Sequence, residues 1–373
     1  MLALLRFCAA LRFGAVLLAL YFSSVAGSYA LGMSVFSLTS LAQLAADVPT
    51  GYLADRLGRK PVLALGAIVS LAFTVGYAVG LSYWWLAAGA ALEGLARALV
   101  SGTDTALLYE MLAEAELADR YPLYLGRVAA GESVAFALAA FAGGAIAAFW
   151  SFHAAFWLTL APQCAALVCA LLLREPAHRL DRRRVSWRRA LTPFLRNPRL
   201  RLVVGAAAWR EAWSESAFQL RIVFFQQLWP LWALGLAQTL TNAVSALSFY
   251  LAGRTIARLG ALRVLLLDVI IGRALALPAL LAPTVASPVA LSLMSATYGM
   301  SEVAFGALQQ QEFSDEERAT MGSIASQAVG LAFAAGAVAV GALADSAGVV
   351  AALLITQALL LGSIVLYRGL AAG

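Results

Sequence analysis

Ionisable side chains recur deep inside long apolar runs of this sequence, and their types and spacing suit proton carriage and cation binding. Glu93, Arg97, Ser101 and Asp104 are spaced to share one helical face. Glu93 and Arg97, one turn apart, can neutralise each other. Glu132 has no charged partner at helical spacing. It could carry a proton, or counter a cation, unless Arg97 reaches it from another helix. The stretch Trp209-Arg-Glu-Ala-Trp-Ser-Glu215 sets Glu211, Ser214 and Glu215 on one face and Trp209 and Trp213 on another. Carboxylates interleaved with aromatic rings suit an amphipathic cation, or the tryptophans simply pack; Arg210 can satisfy one glutamate. Two polar stripes, Gln238–Thr241–Asn242–Ser245 and Tyr298–Glu302–Phe305–Gln309, are too polar to face lipid and are expected to line an interior pathway. Asp268 and Arg273 read as structural, and Asp345 as a solvated residue at a helix end.

The elements that must position these groups are transmembrane helices. The chain has 373 residues, 62% hydrophobic and only 12% charged, against roughly 25% charged in soluble domains. The apolar residues fall into runs of about 20, long enough to span a bilayer. Twelve spans are predicted, at about 8–27, 33–54, 62–80, 84–112, 121–149, 152–173, 201–225, 229–257, 262–282, 286–313, 319–345 and 348–367. The first is the weakest, and Arg6 and Arg12 near its start are expected to snorkel to the interface. Lys and Arg cluster after every even-numbered span, and the loops near Gly27, Ser82, Ser151, Trp229, Ser287 and Ala347 carry none. That alternation predicts cytoplasmic termini. The segment 174–200 is expected to be a cytoplasmic arginine-rich linker lying on anionic headgroups. It divides a bundle at 1–173 from one at 201–373.

The densest charge lies in the turn Asp47-Val-Pro-Thr-Gly-Tyr-Leu-Ala-Asp-Arg-Leu-Gly-Arg-Lys-Pro61. Gly51 and Ala54 would admit a close helix, Gly58 would take positive φ, and Pro61 suits a first helical turn. Asp55 is unfavourable at its own helix C-terminus, so an arginine or another helix's N-terminus should hold it. Gly51-x4-Arg-Leu-Gly-x3-Val-Leu recurs as Gly253-x4-Arg-Leu-Gly-x3-Val-Leu, 202 residues on, with Ala257 in place of the aspartate. Gly51, Leu53, Asp55, Arg56, Gly58, Arg59 and Lys60 resemble the signature between the second and third helices of the major facilitator superfamily. The run from Arg97 to Glu110 resembles that superfamily's fourth-helix exporter motif, whose arginine is linked to proton handling. The fifth span has Gly131, Gly143 and Gly144 of a further exporter signature and lacks its proline.

What the resemblance implies is an all-α fold of twelve helices in two six-helix halves, working by alternating access as a monomer. The Asp47–Pro61 turn would belong to a cytoplasmic gate. The expected activity is proton-coupled export of a small amphipathic or cationic compound across the inner membrane. The alternatives are import of an anionic metabolite on Arg97 and Arg210, and a non-transporting sensor or assembly factor that kept the fold. Other classes find no support. There is no P-loop, metal-binding cluster, nucleophile–base pair or cofactor motif. Cys8, Cys164 and Cys169 match no redox spacing, His153 and His178 sit near membrane surfaces, and no signal-peptide cleavage site is convincing. The net charge of +6 is accounted for by the membrane-facing turns and not by nucleic acid.

Overall fold

A computed structural model of the chain describes residues 1–175, 197–312 and 318–372. His178 and most of the arginine-rich linker lie outside the described residues. The described residues form no strand. The helices are α1 (Leu2–Ala10), α2 (Leu18–Ala26), α3 (Tyr29–Leu57), α4 (Arg59–Val79), α5 (Tyr83–Val100), α6 (Thr103–Glu114), α7 (Tyr121–Phe149) and α8 (Phe152–Leu172). They continue as α9 (Pro198–Gln226), α10 (Leu234–Leu259), α11 (Ala261–Leu281), α12 (Ser287–Leu293), α13 (Tyr298–Glu312), α14 (Arg318–Ala347) and α15 (Val349–Ala372). Three spans are each a broken pair: α1/α2, α5/α6 and α12/α13.

Among the described residues seven helices are long and apolar enough to cross a membrane, and the bent pair α1/α2 makes an eighth. The four remaining spans are α5/α6, α9, α10 and α12/α13, the ones that carry most of the candidate site residues. Charges, polar stripes and helix breaks lower their apolarity. The candidate residues therefore lie where the membrane signal is weakest.

The chain divides into two compact units. The first comprises Met1–Gly27, Leu38–Arg182 and Leu231–Leu236; the second comprises Ser28–Ser37, Arg183–Pro230 and Ala237–Gly373. In the first unit α4 packs on α5 and α8, and α1 packs on α7 and α8. Leu63, Ala67, Leu107 and Ala170 form an apolar core there. Gly94 allows a close crossing, because a Cβ would collide with the Thr39 carbonyl and Ala42. In the second unit α9 packs on α14 and α15, around a core that includes Val203, Leu265, Phe305 and Tyr367. Gly336 of α14 sits so close to α9 that a Cβ would collide with the Ala212 carbonyl.

Candidate functional site

The predicted face from Glu93 to Asp104 is interrupted. Gly102 takes the left-handed conformation (φ +70°) and separates α5 from α6. Glu93 and Asp104 consequently meet different partners. Glu93, 2% exposed, accepts from Arg12 at 2.7 Å, Arg97 at 2.8 Å and the Tyr77 hydroxyl at 2.8 Å. The expected Glu93–Arg97 pair is thus present, with Arg12 added. Asp104 accepts from Arg6, which also donates to Glu132 at 2.6 Å.

Two expectations are corrected here. Arg6 and Arg12 do not reach only for an interface. Arg6, on α1 against α7, turns to Asp104 and Glu132, and Arg12, just beyond α1, turns to the buried Glu93 of α5. Glu132 is not unpaired, and its partner is Arg6 rather than Arg97. A signal for this was present in the sequence: Glu93, Asp104 and Glu132 outnumbered the one arginine assigned to them.

The second unit is arranged differently. Arg210 of α9 donates to Glu302 of α13 at 2.5 Å and lies 3.9 Å from Asp268 of α11. It also stands 5.6 Å from the ring centroids of Tyr298 and Phe305. Arg210 thus satisfies a glutamate, on a different helix from its own. Asp268, read from sequence as merely structural, accepts from the Thr297 hydroxyl at 2.5 Å and joins this group. Among the described residues Glu215 accepts only from Gln219, at 2.7 Å. Glu211 makes no hydrogen bond or ion pair with any described residue.

Trp209 and Trp213 meet edge to face, 5.7 Å apart. The Trp209 indole donates to the Leu359 carbonyl at 3.0 Å, so that ring is anchored to α15. The Trp213 indole N–H is buried without an acceptor among the described residues. Gln238 donates to Asn242 at 3.0 Å, and Thr241, expected beside them, is 3% exposed and bonds Arg221. Tyr298 is 40% exposed, whereas Phe305 of the same predicted stripe is buried in the core.

The charged turn is largely as expected. Gly58 has φ +104° and starts α4. Asp55 is held by an arginine, Arg59, at 3.5 Å. Arg59 also lies 3.5 Å from Glu110 of α6. Arg56 stacks on Tyr52, 4.6 Å from the ring centroid. The sequence reading missed Glu175, whose two carboxylate oxygens accept from the backbone N–H groups of Arg59 and Lys60, each at 2.7 Å. That is an N-terminal cap supplied from just beyond α8. Ala54 packs with Val62 and Leu99, but a Cβ on Gly51 would meet nothing, so no close helix needs that glycine here. Asp47 buries one carboxylate oxygen without a partner among the described residues. Asp345, expected only to be solvated, accepts from Ser28 Oγ at 2.6 Å and from the N–H groups of Tyr29 at 2.7 Å and Ala30 at 2.9 Å. It caps α3 within the second unit.

A polytopic helical bundle with intramembrane ion pairs and this glycine-led charged turn defines a membrane transport protein. The Major Facilitator Superfamily profile matches residues 2–311, and the chain belongs to that family, with its fold of twelve helices in two six-helix halves. Over 172 residues, 46% of this chain, it is 27% identical to the inner membrane transport protein YajR of Escherichia coli (strain K12). The match spans 36% of that relative's length. Solved structures share the fold. The nucleoside transporter NupG, in a point-mutant form, superposes with TM-score 0.85 at 16% identity, covering 100% of this chain and 98% of the other. A bacterial homologue of the human lysosomal transporter Spinster, inward-facing and unoccupied, superposes with TM-score 0.77 at 14% identity, covering 100% and 96%.

Proposed function

We propose that this transporter exchanges protons for a small amphipathic cation, exporting the cation by alternating access as a monomer in the inner membrane, with both termini cytoplasmic. The observation that carries the proposal is Glu211. It is the half-buried carboxylate on α9 with no partner among the described residues, one turn from Glu215, which has only a neutral one. A carboxylate that forms no ion pair within the protein can hold a proton or a cationic ligand, one at a time. That exclusivity is what antiport needs. Trp213 and Tyr298 supply aromatic surface for the apolar part of such a ligand. Glu302 and Arg210 form the neighbouring pair that would rearrange as Glu211 changes charge. Gln238 and Asn242 are proposed to line the pathway, and the Asp47–Pro61 turn with Asp55, Arg59 and Lys60 is proposed to act in the cytoplasmic gate.

The importer reading has two observations in its favour: the Arg97 side chain is 50% exposed, and Arg221 and Arg273 line a cavity without an ion pair to any described residue. Arg210 counts against it, being 8% exposed and held by two carboxylates. The test uses purified protein in liposomes enclosing a pH-sensitive dye, challenged with lipophilic cations and with organic anions. Proton movement opposite to a cation supports antiport. Proton movement in step with an anion would replace it with import.

A further inference from the structure

The second unit contains a cavity of about 80 Å³ enclosed by α9, α11, α12, α13 and α15. Its walls include three arginines, Arg210, Arg221 and Arg273, against one carboxylate, Asp268. Arg210 is accounted for by Glu302 and Asp268. The other two are not. Arg221 is 8% exposed and Arg273 9% exposed, and neither forms an ion pair with any described residue. Arg221 is fixed by neutral groups alone. It donates to the Leu291 carbonyl at 3.2 Å and the Thr241 hydroxyl at 3.0 Å, and it stacks 4.0 Å from the Phe218 ring centroid. Arg273 donates through Nε to Gln357 Oε1 at 3.1 Å. Its two terminal amino groups meet no acceptor among the described residues.

Burying a guanidinium without a counter-charge costs several kcal/mol, and two such groups on one cavity also repel each other. The acids nearby relieve this only in part, Glu215 acting on Arg221 and Asp268 on Arg273 from outside ion-pair range. Asp268 is bonded to Thr297 and shared with Arg210. Glu215 is bonded to Gln219 and pairs with neither arginine. Asp268 and Glu302 are engaged by Arg210, and Glu215 acts on Arg221 only from beyond ion-pair distance, so the cavity wall presents two guanidinium groups without a direct ionic contact to any described residue. The space fits a few water-sized groups and is far below the roughly 300–1,000 Å³ of a drug-sized site.

We propose that this cavity binds a small monovalent anion of chloride size, held by the free Nη groups of Arg273 and by the charge of Arg221, with Gln357 fixing Arg273 in place. The anion supplies the direct ionic contact that no described residue makes with Arg221 or Arg273. The site takes a different ligand from the cation proposed for Glu211, and the inference does not rest on that proposal.

The test measures the melting temperature of the purified full chain in detergent, at constant ionic strength, as gluconate is replaced by chloride, bromide, formate or sulfate. Chloride, bromide and formate are expected to raise it by about 3 °C or more, by binding only the folded state. R273Q is expected to abolish the rise, and R221K to reduce it. Equal melting temperatures in chloride and gluconate would overturn the proposal. So would the same rise in wild type and R273Q, which would mark a general salt effect, or a rise with sulfate alone. If R273Q does not fold, crystals of the wild type grown in bromide decide the matter. An anomalous peak between Arg221 and Arg273 is expected, and none there at full bromide exchange would contradict the site.

Discussion

In the first unit, three carboxylates of the candidate site and three arginines close on one another: Arg6 serves Asp104 and Glu132, while Arg12 and Arg97 share Glu93. In the second unit one group closes in the same way, Arg210 with Glu302 and Asp268, and other charges stand outside it. Glu211, Glu215, Arg221 and Arg273 form no ion pair with any described residue, and opposite charges reach them only from farther off. A closed network has its charges already spent and serves chiefly to fix helices. A network with separated charges leaves groups to be completed by something other than the protein. The difference assigns the fixed scaffold to the first unit and the proposed ligand chemistry to the second.

The repeated turns show the same asymmetry with nearly the same backbone. Gly58 and Gly260 both start a helix, at φ, ψ of +104°, 168° and +84°, 152°. The first turn carries Asp55, Arg59, Glu110 and the Glu175 cap. The second has Ala257 and Ala261 at the positions of Asp55 and Arg59, and no side chain among the described residues caps its helix. The glycine preserves the turn; the charges that distinguish the two were kept on one side only.

The largest predicted effect strikes the closed network. E93Q removes the carboxylate that two arginines share, and leaving them uncompensated is expected to cost about 3–5 kcal/mol, read as a lowered melting temperature and poor recovery from the membrane. A smaller loss follows from crowding the second unit. G336V drives a side chain into the Ala212 carbonyl and displaces α9 beside Glu211, at a cost of about 1–3 kcal/mol and with loss of transport in vesicles. D55N tests the charged turn. Its partner is 3.5 Å away and Asp55 is 44% exposed, so stability should change by less than about 1 kcal/mol, while transport falls sharply. Intact function in D55N would favour a sensor or assembly role over transport. Smallest of all is A257D in the second turn. With Ala261 where Arg59 would be, no partner stands at the matching position, and both stability and transport should match wild type within about 0.5 kcal/mol.

The fold was legible in the sequence because spanning a bilayer demands long apolar runs and basic turns, both visible in one dimension. The Glu93–Arg97 pair, the positive φ of Gly58 and the arginine on Asp55 were legible for the same reason: each depends on residues within a few positions of one another. What was hidden joins distant segments. Arg6 meets Glu132 across 126 residues, and Glu175 caps a helix 116 residues before it. Helical spacing says nothing about such contacts, so Glu132 read as lone when it is paired. The break at Gly102 was the opposite error, a local rule applied through a residue that ends the helix. Arg221 drew no notice because its environment, Thr241 and the Leu291 carbonyl, exists only once α9, α10 and α12 are assembled.

The most direct measurement compares two glutamates. Wild type, E211Q and E132Q would be reconstituted in liposomes with an internal pH dye and given a lipophilic cation that wild type exchanges for protons. E211Q is expected to abolish substrate-dependent proton movement while still binding the cation more weakly, and E132Q, whose carboxylate is already committed to Arg6, is expected to keep it. Proton movement that persists in E211Q and disappears in E132Q would contradict the account and return the coupling site to the first unit.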